Sequence, residues 1–234
     1  MSSFVDQLLA KHHSVYTESI THPLTNELCQ GTLPDYKLFT YLTQDLKFFQ
    51  VGLNLFGKTL ALCDDAKAAI TLGKQIGFVS NDENDYFFKC LDQLKSENLV
   101  ELKLKVPQML QEDPITLPQV QSYIDLLNYL VFECNSYVEV ITFMYVMEEV
   151  YLGWANYHLE KGTIPKDLAY KYNEWIILHS GEAFTGWVQF LKNEVNRVVT
   201  TEDAKKKSEQ IFLQTLTLEI DFFGACYDYS EDPQ

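Results

Sequence analysis

The chain is short of positive charge. It carries 18 Lys and Arg against 33 Asp and Glu, for a formal net charge of −15 and a pI near 4.6. A nucleic-acid binder is expected to show a basic patch, and an anionic membrane surface asks for the same, so neither is an expected partner. Cysteine is scarce and unpatterned. Cys29, Cys63, Cys90, Cys134 and Cys226 are odd in number, irregular in spacing and include no CxxC pair. That speaks against a disulfide framework and against a zinc site, and it makes a reducing compartment, the cytoplasm, the expected setting. The opening residues MSSFVDQLLAKHH lack a basic region followed by an apolar run, so no secretory signal is expected. No apolar run is long enough and free enough of charge to span a bilayer. There is no internal repeat, low-complexity tract, Gly-rich phosphate loop, GxSxG elbow or HExxH pair.

What is present is apolar and aromatic: 47% of residues are hydrophobic and 14% are Phe, Trp or Tyr. That suffices for one sizeable core, and one domain over residues 1–234 is expected, with 231–234 a frayed tail. The apolar spacing reads as helices throughout. A first amphipathic helix covers 4–21 and stops at His22-Pro23. A long helix runs from 35 to about 63. Helices over 64–78 and 83–94 are split by a loop at Ser80-Asn81-Asp82. An irregular stretch, 96–118, is broken by Val106-Pro107 and Asp113-Pro114, and a helix follows from about 119 to 133. Residues 137–160 form a helix that is apolar on nearly every face. Helices over 166–178 and 181–199 hinge near His179-Ser180, and the last runs from about 201 to 227. The expected fold class is all-α, a single-domain helical bundle.

The helix over 137–160 is interrupted by two adjacent acids, Glu148 and Glu149, which point about 100° apart. Steps of three and four from Glu149 meet Glu139, Thr142, Gly153, Asn156 and Glu160, a polar stripe. The same steps from Glu148 meet Ile141, Met144, Tyr145, Tyr151, Leu152 and Ala155. Glu148 therefore falls on the apolar side, where a carboxylate must be satisfied by hydrogen bonds or serve a function. Asp45 has Leu38, Tyr41, Leu42, Phe48, Phe49 and Gly52 around it by the same spacing. Glu219 has Phe212, Thr215, Leu216, Phe222, Phe223 and Cys226.

Three acids on apolar faces of three helices point to one acidic pocket with aromatic walls inside a helical core. Close carboxyls do not all ionise, so one is left to donate a proton and another to accept one. Such a pocket suits a flat ring bearing basic nitrogens or amino groups. A carboxylate-bridged metal site asks for Glu-x-x-His pairs on facing helices, and neither Glu148 nor Glu219 has a His three residues on. No metal and no cofactor are expected. Cys226 lies on the Glu219 face two turns away, and a buried Cys is ordinarily a small core residue.

Three stretches resemble the TenA (thiaminase II) family. THPLTNELCQGTLPDYKLFTYLTQDLKFF is similar to its N-terminal signature of His-Pro, a Gly-containing loop and Tyr-x-x-Gln-Asp before aromatics. KYNEWIILHSGEAF is similar to its Tyr-x-Glu-Trp-Ile segment, and LEIDFFGACY to its closing Leu-Glu-x-x-Phe-Trp-x-Met-Ala-Tyr motif. The match runs in order over almost the whole chain. It implies a haem oxygenase-like helical fold, a small aminopyrimidine as ligand, and a homo-oligomer, tetramer or dimer. By motif, Asp45 would hold the pyrimidine amino group and Glu219 would act as acid and base on a ring nitrogen. Phe48, Tyr123 and Tyr151 would line the ring site, with Tyr41 and His179 among the substrate-binding residues.

Two departures matter. Many members carry a catalytic Cys where this chain has Met147, in VMEEVY. The stretch resembles instead the Glu-type branch, which lacks the Cys, and that puts Glu148 in the catalytic role. His179 stands where Cys-type members tend to have Tyr. The resemblance implies a hydrolase of thiamin salvage that converts an aminomethyl aminopyrimidine to hydroxymethylpyrimidine. Activity on a formylated aminopyrimidine, weak thiaminase activity, and a non-catalytic pyrimidine-binding or regulatory protein stay open.

Overall fold

The structure is a computed structural model and describes residues 2–231. The described residues form eleven α-helices and no strand. The first predicted helix is two: α1 (Phe4–Lys11), closed by a capping box between Ser3 and Asp6, and α2 (His13–Ile20). The break falls at His12, whose Nε2 lies 2.8 Å from Glu209 Oε1 on the last helix. That tertiary contact holds His12 away from helical dihedrals, and no local signal announces it. Pro23 ends one helix and begins the next, because a proline at the first helical position gives up an N–H that would be unpaired anyway. The result is α3 (Pro23–Gln30), a helix absent from the sequence reading. The His22 ring Nδ1 caps it by accepting from Leu24 N at 3.1 Å.

The long helix α4 (Asp35–Leu62) runs as expected. Next, α5 (Ala66–Phe78) opens on the Asp65 carboxylate, which accepts from the Lys67 and Ala68 amides at 2.9 and 2.8 Å. The predicted loop at 80–82 is not a loop. A π-helical turn, Val79–Glu83, carries the chain straight into α6 (Asn84–Lys105). Residues 96–105 of the supposed irregular stretch are helical too, with a kink at Asn98, whose amide donates to Asp35 Oδ2 at 2.6 Å. Residues 111–117 are the true irregular segment. They are pinned to α4 by the buried Gln44, which donates to Ile115 O at 2.8 Å and accepts from Leu117 N at 2.9 Å.

After α7 (Pro118–Asn128) and a second π-turn, Tyr129–Glu133, comes the helix that organises the rest, α8 (Tyr137–Lys161). Beyond it lie α9 (Tyr170–Leu178), α10 (Gly181–Val198) and α11 (Glu202–Asp228). α8 packs against α11, α10, α2, α4 and α3. An unbroken run from Val140 to Val146 is buried, which explains why its sequence is apolar all round. Gly153 lets α2 approach closely: a Cβ there would sit 2.6 Å from Ile20 Cγ2 and 2.7 Å from the Tyr16 hydroxyl. That hydroxyl donates to Glu149 Oε1 at 2.9 Å. Glu149 is therefore covered by α2 rather than left on a wet stripe. Glu231, assigned to a frayed tail, is instead tied down. Its amide donates to Lys105 O at 2.8 Å, and its carboxylate accepts from Gln108 N and the Tyr229 hydroxyl at 2.9 and 2.7 Å. The rest of that tail, 232–234, lies outside the described residues.

Gly31 closes α3 in the left-handed region at φ 69°, and a Cβ there would meet Leu168 Cδ1 at 2.5 Å. Gly31→Ala should therefore cost about 2 kcal/mol from backbone strain and crowding together. Urea unfolding checks this, and an unchanged midpoint would contradict it.

Candidate functional site

Three long helices each carry one acid inward. On α4, the face running Asp45, Phe48, Phe49 and Gly52 lines a cavity. On α8 the lining residues are Met147, Glu148 and Tyr151, and on α11 Glu219 and Phe222. α7 adds Tyr123, the first π-turn adds Val79 and Glu83, and α9 adds Trp175, with His179 at its end. The cavity has a volume of about 60 Å³, room for more than a single water molecule. Seven of the eight residues named from the sequence line it: Asp45, Phe48, Tyr123, Glu148, Tyr151, His179 and Glu219. Tyr41 does not. It lies behind Tyr151, donating to its hydroxyl at 3.1 Å and accepting from the Trp175 indole N–H at 3.1 Å. Asp45 and Tyr41 are four residues apart on one helix, about 40° around its axis, and that offset separates the wall from the layer behind it.

Burial dominates the electrostatics. Glu219 is 1% exposed. Its Oε1 accepts from the Tyr123 hydroxyl at 2.7 Å, and its Oε2 makes no hydrogen bond. Desolvation pushes its pKa well above the carboxylate range. The Tyr123 bond pulls the other way, and the charges of Asp45 and Glu148 push up again. Asp45 is likewise raised well above its ordinary value by burial and then by the negative charge of Glu83, against the Tyr41 and Tyr151 hydroxyls. Glu148 is raised to about 7 by burial and by Glu83. The Trp187 indole N–H and His179 oppose the rise. That indole makes no hydrogen bond of normal length, so its pull on Glu148 is a weak one. Burial thus raises the proton affinity of all three, and Glu148, at about 7, is poised between forms at neutral pH. A neutral buried Glu219 is a hydrogen-bond donor, and Glu148 near 7 serves as a proton acceptor.

The walls are rings. Phe48 and Tyr123 lie 4.5 Å apart between centroids, and Tyr151 and Trp175 6.2 Å apart at 81°. His179 is boxed by Trp175 at 4.3 Å, Tyr151 at 4.8 Å and Phe184 at 5.2 Å. Its Nδ1 lies 2.8 Å from the Trp175 carbonyl oxygen, which assigns a proton to Nδ1 and turns Nε2 toward Glu83 Oε1, 3.4 Å away. No cysteine lines the cavity. Cys226 is fully buried, and burial pushes its thiol well above the ordinary range, which suits a core residue and not a nucleophile. Among the described residues, no group of three or more His, Cys, Asp or Glu side chains is placed to hold a metal ion. No helix there is long and apolar enough to cross a membrane.

Among the lining residues that the sequence reading does not single out, Trp175 and Glu83 bear most on the chemistry. Trp175 sits inside a quoted motif without standing out by charge or spacing. By spacing alone, Glu83 falls at a helix start after a loop. Phe78 to Asn84 contains neither Gly nor Pro. That absence of a breaker was the available signal that the chain stays wound and turns Glu83 inward.

The TENA/THI-4/PQQC family model matches residues 9–229. Among solved structures, a TenA homologue from Pyrococcus furiosus superposes with a TM-score of 0.75 at 17% identity, covering 96% of this chain and 100% of that one. A candidate TenA-like thiaminase from Sulfolobus solfataricus gives 0.70 at 16% identity, covering 97% and 96%. A heme oxygenase-like domain from Shewanella denitrificans gives 0.68 at 15%, covering 95% and 91%. At these identities the likeness establishes the fold, which is haem oxygenase-like. No curated protein matches the chain.

Glu148 keeps its proton in the folded state up to about pH 7, against an ordinary value of 4.5. It therefore contributes stability that is fully present below about pH 4.5 and lost as pH rises through about 7. Glu148→Gln does not titrate. Relative to the wild type it should gain up to about 3 kcal/mol between pH 4.5 and about pH 7.5, read from paired urea titrations. A difference that does not change with pH would mean that the carboxyl is not desolvated.

Proposed function

We propose that this chain, which belongs to the TENA/THI-4/PQQC family, is a hydrolase of thiamin salvage that replaces the amine of an aminomethyl aminopyrimidine by hydroxyl. The observation that carries the reading is the cavity itself. Three carboxyls whose proton affinities burial raises, set among Phe48, Tyr123, Tyr151 and Trp175, meet in one cavity. A flat ring with basic nitrogens uses every one of these groups. Glu219, protonated and with Oε2 unpaired, donates to a ring nitrogen. Asp45 holds the exocyclic amino group. The rings on either side supply apolar and stacking contact.

In the reaction, water attacks the exocyclic methylene carbon and gives its proton to Glu148. The arm's nitrogen leaves from its ammonium form: the carbon–nitrogen bond breaks with its electron pair going to nitrogen, and neutral ammonia departs, leaving the proton taken from water on Glu148. Glu219 and Asp45 let the ring share the charge that develops as nitrogen departs. Met147, which lines the cavity where many family members carry a Cys, offers no nucleophile. A base acting on water fills that role without a covalent intermediate.

Purified protein is incubated with 4-amino-5-aminomethyl-2-methylpyrimidine and, separately, with thiamin, and the products are followed by mass spectrometry. Hydroxymethylpyrimidine from the aminomethyl compound supports the reading. Product from thiamin alone would make the protein a thiaminase, and binding without product would make it a pyrimidine-binding protein.

Two outcomes test the role of Glu148. Glu148→Gln should lower kcat by about 10²- to 10⁴-fold while the variant stays folded. For the wild type, kcat/KM should rise with pH on its acid limb as Glu148 loses its proton near pH 7. Unchanged turnover in the variant removes Glu148 from the mechanism.

A further inference from the structure

The proposed reaction uses three of the four acids that line the cavity. The fourth, Glu83, stands on the π-turn between α5 and α6. It differs from the others in exposure: Asp45, Glu148 and Glu219 are buried, Glu219 most completely, whereas Glu83 keeps 17% of its side chain exposed while lining the same space. It therefore sits at the mouth, with Glu219 at the floor. The charge relations agree, since Glu83 acts on Asp45 and Glu148, while Glu219 responds to those two.

Glu83 is also under-used by the protein. Its one basic neighbour within 4 Å among the described residues is His179, whose Nε2 is 3.4 Å from Oε1, long for a hydrogen bond. A carboxylate offers about four acceptor sites, so most of the capacity of Glu83 is open. No Lys or Arg lines the cavity. A ligand whose ring lies deep, between Asp45 and Glu219, directs its side arm outward toward this carboxylate.

We propose that Glu83 is a specificity-determining residue that receives the ammonium group of the substrate's side arm at the mouth of the cavity, so that the site prefers an aminopyrimidine with a cationic arm over one whose arm is neutral. This rests on the pyrimidine reading above and adds to it the charge of the preferred arm. An ammonium supplies three donors, which a carboxylate at the mouth accepts. A hydroxymethyl or formylated arm brings no charge, and Glu83 discriminates against both. Holding the arm protonated also leaves the nitrogen ready to depart as neutral ammonia.

The test is calorimetric binding of two probes, 4-amino-5-aminomethyl-2-methylpyrimidine and its hydroxymethyl counterpart, to the full chain and to Glu83→Gln. The variant should bind the aminomethyl compound about 10- to 100-fold more weakly, the range of a hydrogen bond to a charged group, with the hydroxymethyl compound changed by less than about twofold. Glu83→Asp, which keeps the charge, should restore part of the preference. The retained affinity for the hydroxymethyl compound also reports that the variant is folded. Equal weakening of both probes, or of neither, overturns the assignment of Glu83 and leaves the pyrimidine site standing. Failure of the wild type to bind either probe overturns both.

Discussion

Taking a carboxyl out of water is the cost around which this molecule is arranged. A desolvated, ionised carboxylate is expensive, and the usual response is to pair it or to keep its proton. Here Asp45, Glu148 and Glu219 face a cavity that holds no Lys or Arg. Hydroxyls partly satisfy them, Tyr123 on Glu219 and the Tyr41–Tyr151 pair beside Asp45, and the rest of the cost appears as raised proton affinity. Such an arrangement persists only if the helices bearing the acids cannot slide apart. That requirement accounts for the lengths of α4, α8 and α11 and for the density of aromatic side chains between them.

The scaffold meets it through α8. Five helices pack on it, and the unbroken buried run from Val140 to Val146 anchors one end while the Gly153 contact with α2 anchors the other. Glu148 and Tyr151 lie between these anchors. Their positions are set by packing on both sides rather than by the cavity, which is what a site needs if its groups are to be held in place before ligand arrives. On the opposite wall, Gln44 fastens residues 111–117 to α4 directly beside Asp45.

Most of this was legible in the sequence because helical periodicity is a strong signal in long helices. The 3.6-residue spacing separated Glu148 from Glu149 and picked out Asp45 and Glu219 before any coordinates. What was illegible depends on contacts between distant residues or on small rotations. The break at His12 follows from Glu209, nearly two hundred residues away. The π-turn at Val79–Glu83 adds one residue per turn and so rotates Glu83 onto a face that a regular helix or a loop would not give it. Tyr41 shares the Asp45 face on a helical wheel, which has no means of showing that Tyr151 stands in front of it. In the N-terminal region, His22-Pro23 was read as a stop and is also a start, since the same proline geometry serves both.

The neighbouring acids of α8 show how little of a residue's chemistry is intrinsic to it. Glu148 and Glu149 are the same residue type, adjacent and both drawn from water, and burial raises the proton affinity of each. Glu149 faces α2, where the Tyr16 hydroxyl donates to it at 2.9 Å and Tyr145 lies beside it. It is a satisfied group that ties α2 to α8. Glu148, 100° around the helix, faces the cavity, a second carboxylate at Glu83 and an imidazole at His179. Its proton affinity near 7 comes first from burial and then from groups on other elements, above all Glu83 on the first π-turn. A single residue of slip in α8 would exchange the two, placing the acid that ties α2 to α8 in the cavity and the cavity acid against α2. Register along this one helix is thus what separates an acid-lined pocket from an ordinary core.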